Sequence, residues 1–118
     1  MARPPRPHVP GGFFHVTQRG NDRRAVFLDD QDRLRYLGIL ARGLAFDGSR
    51  LHAYCLLSNH LHLLVETSDR PLSQFMQRVG SRHARTFNDR WRRSGHLFQG
   101  RFHATLVAND PYLLAVVR

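Results

Sequence analysis

The chain has 118 residues, which is enough for one globular domain and too few for two. Hydrophobic residues make up 42% of it and charged residues 23%, as in folded proteins, and no apolar run is long enough to cross a membrane. The single cysteine, Cys55, excludes an internal disulfide and a cysteine-based zinc site, and its apolar neighbours predict a buried thiol. Together these features indicate a cytoplasmic protein.

The charge points to a class of partner. The formal net charge is +9, and all 18 basic residues are arginine. Codon usage in a GC-rich genome accounts for the absence of lysine, but it does not account for the excess of basic over acidic residues. That excess indicates a polyanion, most often nucleic acid. Residues 1–10 are rich in Pro and Arg and lack the apolar segment of a secretory signal, so they are predicted to form a flexible basic arm before a single domain of residues 11–118.

The first half of the domain begins with a predicted strand over residues 13–19, which are rich in aromatic and β-branched residues. A turn follows at residues 20–22, and residues 25–28 are predicted to extend that strand or to pair with it. Asp29 and Asp30 are suited to cap a helix over residues 30–46, which Asp47-Gly48-Ser49 ends. The apolar residues that recur at helical spacing in it are Leu34, Leu37, Leu40, Ala41 and Leu44.

The second half begins with two predicted strands, residues 51–57 and 59–67, which form a hairpin. Pro71 predicts the first turn of a second helix that ends at Ser94-Gly95. The predicted buried face of this helix comprises Leu72, Phe75, Met76, Val79, His83, Phe87 and Trp91. Residues 97–107 are predicted to be extended, with an interruption at Gly100, and residues 109–111 to start a third helix.

The order of elements is strand, helix, strand, strand, helix, strand. It predicts an α+β fold of the ferredoxin-like, split βαβ type, in which an antiparallel sheet carries two helices on one face. The start of a third helix follows.

The most informative motif is Asn59-His60-Leu61-His62-Leu63-Leu64-Val65-Glu66. Side chains alternate between the two faces of a strand, so His60 and His62 share the face opposite Leu61, Leu63 and Val65. Neutral imidazole is the commonest metal ligand, and two imidazoles leave positions open for water and a phosphate. The alternative is a pair of polar residues on a solvated face, which eight histidines in one chain make easy to obtain by chance. Leu64 follows on the same face and indicates that this face is partly covered.

Arginines dominate residues 71–101, where seven of them accompany one acidic residue, Asp89. Arg78, Arg82 and Arg85 form a ridge on the second helix, and solvated helix faces usually mix charges of both signs, so the ridge predicts contact with phosphates. Further candidates for DNA binding are Arg19, Arg23 and Arg24 in the first turn. Arg101 is another candidate. The aromatic residues that could stack on unpaired bases are Phe14, Phe98 and Phe102, for which a place in the core is equally open.

Five segments resemble, in the same order, motifs of REP-associated tyrosine transposases, which are single-tyrosine HUH transposases of the insertion-sequence-200-like family. They are HVTQRGNDR at 15–23, SNHLHLLV at 58–65, FN at 87–88, GHLFQGRF at 95–102 and DPYLL at 110–114. The resemblance covers the chain from Gly11 onward.

The resemblance implies a protein that cuts and rejoins single-stranded DNA beside small hairpins. In such proteins a tyrosine of the last helix attacks a backbone phosphate and leaves a 5′-phosphotyrosine and a free 3′-hydroxyl. It further implies that His60 and His62 hold Mg²⁺ or Mn²⁺, which polarises the scissile phosphate. Tyrosine has a pKa of about 10 and is a weak nucleophile near neutral pH, so neutralisation of the phosphate charge by a cation is chemically reasonable.

This chain departs from the family at its end. In our alignment the family's tyrosine falls immediately after Arg118, where this sequence has no residue. Tyr112 stands seven positions earlier, on the same side of the predicted helix, and is either a packing residue of the first turn or a displaced nucleophile. Tyr36 and Tyr54 are predicted to be structural. We therefore expect a domain truncated at its C-terminus that binds metal and DNA but cleaves poorly or not at all.

Three other classes of protein remain open. The first is a non-catalytic nucleic-acid binder of the same fold, as in RNA-recognition domains, although their aromatic pattern is not evident here. The second is a replication initiator or relaxase, which uses the same chemistry in larger proteins. The third is a structural protein with incidental histidines. The sequence also leaves open whether the protein is a monomer or a homodimer.

Overall fold

The computed structural model describes residues 11–107. The predicted basic arm, the start of the third helix and Tyr112 lie outside these residues. In chain order the elements are β1 (Phe13–Arg19), a 3₁₀ turn (Asn21–Arg23), α1 (Asp30–Asp47), β2 (Arg50–Leu56), β3 (His60–Glu66), α2 (Leu72–Trp91) and β4 (His103–Leu106).

The four strands form one antiparallel sheet in the order β2-β3-β1-β4. Strand β3 lies between β1 and β2, and β1 lies between β3 and β4, so the two middle strands are paired on both sides. This is the split βαβ arrangement, and it confirms the predicted fold class.

Both helices pack on one face of the sheet. Alternate residues of the central strands, namely Phe14, Val16, Leu61, Leu63 and Val65, form one core cluster with apolar residues of α1 and α2. A Cβ added to Gly80 of α2 would lie 3.2 Å from Nε2 of Gln18, so α2 closely approaches β1. The predicted buried face of α2 is confirmed from Leu72 to Phe87.

The predicted bounds of α1 are confirmed to within one residue, and its predicted face is confirmed in part: Leu40 is buried and Leu37 and Leu44 pack against the core, but Ala41 is exposed. Leu34 is 69% exposed, whereas the buried stripe comprises Tyr36, Leu40, Gly43 and Asp47, with Asp32 one turn earlier. A Cβ on Gly43 would come within 2.8 Å of Val79, so α1 approaches α2 through a residue that offers no side chain. The pattern of apolar residues therefore predicts only part of this face.

Two predicted extended segments also differ from the structure. Residues 25–28 form no strand; instead the amides of Val26 and Phe27 both donate to the carbonyl of Ser58, at 2.7 and 3.2 Å. The final extended run is reduced to β4, preceded by a single bridge between Gly20 and Phe98. Within residues 11–107, neither helix is long and apolar enough to span a membrane.

Candidate metal centre and nucleic-acid surfaces

The two histidines of β3 lie on the face of the sheet that the helices leave open. Leu61 and Leu63 are almost completely buried on the opposite face. Across the sheet, His60 pairs with Arg19 and His62 pairs with Thr17. The ring centroids of His60 and His62 are 5.1 Å apart, so the predicted juxtaposition of these two side chains is present.

His60 is held by its sequence neighbour. Its Nδ1 lies 2.9 Å from Oδ1 of Asn59, and because that oxygen only accepts, Nδ1 carries the proton and donates. The lone pair of Nε2 is then available to a cation. A ligand histidine whose other nitrogen donates to an oxygen is the usual arrangement at protein metal sites.

His62 has a partner that the sequence did not reveal. Its Nδ1 lies 3.1 Å from Nε2 of His15 and 3.4 Å from Oγ1 of Thr17, and the rings of His15 and His62 are stacked at 5.2 Å. Burial, followed by the nearby charges of His15, His60 and Arg19, lowers the pKa of His62. The neutral imidazole that a metal requires is therefore favoured.

The two imidazoles fit a divalent cation as part of a ligand set. With both Nδ1 atoms engaged, two Nε2 atoms remain as donors. The residues from 11 to 107 contain no cluster of three or more His, Cys, Asp or Glu side chains placed to hold a metal. Oxygen ligands from water and phosphate would therefore have to complete the shell, as an open catalytic site requires.

A cationic pocket adjoins His60. It has a volume of about 480 Å³ and is lined by Arg19, Gly20, Arg23, Asn59, His60 and Gln99. No carboxylate is among these residues, so the pocket suits an anion beside the histidine. Two of the predicted DNA-binding residues, Arg19 and Arg23, are thus brought together with the metal candidates.

The other predicted arginines lie elsewhere. Arg78, Arg82 and Arg85 are exposed on α2 and, with Arg42 of α1, line a groove of about 690 Å³ on the helix side of the sheet. The histidines occupy the opposite side, so this groove and the histidine pair do not form one site. Arg101 lines a third cavity, between α2 and residues 95–102.

Tyr36 and Tyr54 lie in different environments. Tyr36 is fully buried, which raises the pKa of its hydroxyl and confirms a structural role. Tyr54 is 53% exposed and pairs with Leu63, so it lies on the side away from the histidines.

The predicted burial of Cys55 is wrong: it is exposed, and it pairs with His62. Its strand β2 is an edge strand, and its open face has no covering element among the described residues.

The sequence analysis did not identify two histidines of the open face. His15 belongs to the same alternating run as Thr17 and Arg19, so its face could have been inferred, but its contact with His62 depends on the register of β1 against β3. His103 pairs with Thr17 from β4 and adds a further histidine to this face. Of the proposed stacking residues, Phe14 belongs to the core, whereas Phe98 and Phe102 are partly buried beside the third cavity.

Two solved structures share the fold of this chain. A REP-associated tyrosine transposase bound to a REP hairpin superposes with a TM-score of 0.75 at 18% identity, covering 99% of this chain and 68% of that one. A candidate transposase from Deinococcus radiodurans gives a TM-score of 0.68 at 17% identity, covering 98% of this chain and 93% of that one. At these identities the likeness shows the fold.

No curated protein matches the chain. The family described as "Transposase IS200 like" matches residues 9–118, which is nearly the whole sequence. The resemblance inferred from the motifs is thereby confirmed. The chain belongs to the IS200-like transposase family.

Proposed function

We propose that this chain binds single-stranded DNA beside a hairpin and holds Mg²⁺ or Mn²⁺ on His60 and His62, in a site for cleavage and rejoining of the strand. The observation that carries the proposal is the histidine pair, with both Nδ1 atoms engaged, beside the cationic pocket of Arg19 and Arg23. A DNA hairpin bound to a structural relative is consistent with it.

The chemistry assigns a separate task to each group. The cation would withdraw negative charge from the scissile phosphate. Arg19 and Arg23 would hold the flanking backbone through charge-assisted hydrogen bonds, and their planar guanidinium groups suit phosphate oxygens. Asn59 and His15 fix the orientation of the two ligand rings, so that little reorganisation accompanies binding.

The covalent step involves a tyrosine oxygen. That oxygen attacks phosphorus, the bond from phosphorus to the 3′ oxygen breaks, and the departing strand takes up a proton as a 3′-hydroxyl. The phosphodiester is conserved as a 5′-phosphotyrosine, which the free hydroxyl attacks in the reverse direction to rejoin the strand. Tyr112 is the nucleophile to test first, since it is the only tyrosine after Tyr54.

The test is an end-labelled DNA hairpin with a single-stranded flank, incubated with the protein and Mn²⁺ or Mg²⁺ and resolved on a denaturing gel. We expect metal-dependent binding that H60A and H62A weaken, and an adduct, if formed, that is lost in Y112F. Retained hairpin binding without an adduct would restrict the function of this chain to DNA binding. Binding that is indifferent to metal and to both histidine variants would refute the proposed metal site.

A non-catalytic binder of the RNA-recognition type is the competing assignment. Such domains stack bases on aromatic residues of the open sheet face. Here the described part of that face carries four histidines, His15, His60, His62 and His103. Its one phenyl ring, that of Phe13, already contacts the ring of His52, with the centroids 4.9 Å apart. The face is therefore poorly suited to stacking and better suited to a cation.

A further inference from the structure

The cavity between α2 and residues 95–102 differs from the histidine site in position and in chemistry. Its volume is about 370 Å³, and its walls include Gln18, Gly80, Ala84, Phe98, Arg101 and Phe102. It opens on the helix side of the sheet, because Gln18 belongs to the same face of β1 as Phe14 and Val16. None of its lining residues belongs to the pocket beside His60.

The side chain of Gln18 is the unexplained feature of this cavity. It is only 7% exposed, and its Oε1 has no hydrogen-bond partner among the described residues. An unpaired buried acceptor is costly, and native structures rarely keep one without a reason. Since the Gln18 amide lines the cavity, a ligand there with a donor beside an acceptor would satisfy both the Oε1 and the Nε2 of this side chain.

The aromatic and basic residues that line the cavity indicate which class of ligand it could bind. Phe98 and Phe102 provide aromatic surface, and Arg101 and His96 are exposed at the edge. A flat, polar-edged aromatic group attached to a phosphate matches a wall of this composition. Glutamine pairs with adenine through the amino group and a ring nitrogen, and aromatic side chains stack on any base.

The position of the cavity connects it to the histidine site. Phe98 bridges to Gly20, and the amide of the next residue, Gln99, donates to the carbonyl of Arg19 at 2.8 Å. Phe98 lines this cavity, whereas Gln99 lines the pocket beside His60. One short segment thus separates the two, so a strand of DNA that passes around the edge of the sheet could place a base in the cavity and a nearby phosphate beside His60.

We propose that this cavity receives one unpaired nucleobase, with adenine preferred, of the DNA strand that passes the histidine site. The inference rests on the proposed binding of single-stranded DNA. Gln18 reads the edge of the base, the two phenylalanines contact its faces, and Arg101 contacts the adjoining phosphate.

Two glycines provide a matched pair of variants. A Cβ at Gly80 would sit 3.2 Å from Nε2 of Gln18 and occupy the cavity, whereas a Cβ at Gly38 of α1 meets nothing within 4 Å. Both substitutions by alanine favour the helix to the same degree. Q18L provides a second route, because it removes the unpaired amide and retains an apolar side chain of similar size.

The experiment measures affinity for single-stranded oligonucleotides of about a dozen residues by fluorescence anisotropy, with each base in turn replaced by an abasic site. We expect G38A to match the natural chain, both losing about tenfold in affinity at one abasic position. We expect G80A and Q18L to bind intact DNA about tenfold more weakly and to lose nothing further at that position. Thermal melting of all four proteins verifies that they are folded.

Equal affinities and equal abasic profiles for G80A, Q18L and G38A would overturn the inference while leaving the proposed function intact. A lower melting temperature of G80A than of G38A, at unchanged affinity, would show that the cavity is filled by the chain itself, and the inference would again be wrong. No binding of single-stranded DNA by the natural chain would overturn both the inference and the proposed function.

Discussion

At the scale of single residues, the contact between His15 and His62 matters most for the proposed metal site. A ligand imidazole can rotate about its side-chain bonds, and the partner of its second nitrogen fixes both its orientation and its tautomer. His15 supplies that partner at 3.1 Å and stacks on the ring at an interplanar angle of 4°. In the proposed metal site, His15 is therefore a positioning residue, which acts through His62.

We predict that H15A lowers the affinity for Mn²⁺ about tenfold, because the loss of an outer partner of a ligand histidine typically costs that much. Isothermal titration of the protein with Mn²⁺ measures it. H103A is the matched control, since His103 is an exposed histidine on the same sheet face whose cross-strand partner is Thr17 rather than a ligand. Equal affinities for H15A and H103A would contradict the role given to His15.

At the scale of elements, one ion-pair network joins the start of α1 to the end of α2. Arg90 donates from Nη2 to Asp29 and from Nη1 to both Asp29 and Asp32, at 2.6–2.7 Å. Asp29 also caps α1 by accepting from the amide of Asp32, and Trp91 donates to Asp32 at 3.0 Å. Asp32 is only 2% exposed, so the network closes over a buried carboxylate.

Replacement of Arg90 by Met is therefore expected to lower the midpoint of thermal unfolding, because it leaves the buried carboxylate of Asp32 without its cation. R85M is the control, since Arg85 is an exposed arginine of the same helix and has no ion pair among the described residues. Circular dichroism at neutral pH compares the two. If R90M and R85M melt together, the network contributes nothing to stability.

The same network gives the fold a pH dependence. The hydrogen bonds from Arg90 hold the pKa of Asp29 at about 2, below the value of 3.8 that it has without such partners. A carboxyl group with a lowered pKa stabilises the fold above its unfolded-state pKa, and that stability is lost as pH falls through the folded value. We expect the network's contribution to fade between about pH 4 and pH 2, so that the difference between R90M and R85M shrinks there.

Local sequence patterns determined most of this architecture and only part of the site. Alternation in residues 13–19 and 59–66 gives both central strands and places His60 and His62 on one face. The contact of His15 with His62 and the exposure of Cys55 depend on the register and order of strands far apart in sequence. The face of α1 was predicted only in part, because Gly43 is buried where the two helices approach closely, which the pattern of apolar residues does not indicate.

At the scale of the whole molecule, the positive charge is divided between two sides. Arg19 and Arg23 accompany the histidines, whereas Arg42, Arg78, Arg82 and Arg85 surround the groove between the helices. A DNA molecule that touches both groups must extend around the edge of the sheet. Under the proposed function, contacts in the groove would be remote from the cleavage step and would contribute affinity rather than chemistry.

We predict that the double variant R78Q/R82Q reduces the slope of log affinity against log salt concentration by about two, one for each lost phosphate contact. The metal dependence of binding should be unchanged. R19Q/R23Q should reduce the slope similarly but also weaken the metal-dependent part, because these residues adjoin His60. Salt titrations of hairpin binding, with and without Mn²⁺, separate the loss of phosphate contacts from the loss of metal-dependent binding. An unaltered slope in R78Q/R82Q would show that the DNA does not contact the groove.

The place of β3 in the sheet has a consequence for how metal binding fails. All seven of its residues pair with β1, a neighbour flanks it on the other side, and Leu61, Leu63 and Val65 are buried beneath it. Amide hydrogens in such a strand exchange with solvent only when the entire domain opens. The two proposed ligands are therefore attached to the segment that is the last to unfold. Heating should abolish metal affinity in a single step together with the fold, with no range of temperature in which a folded protein has lost its site.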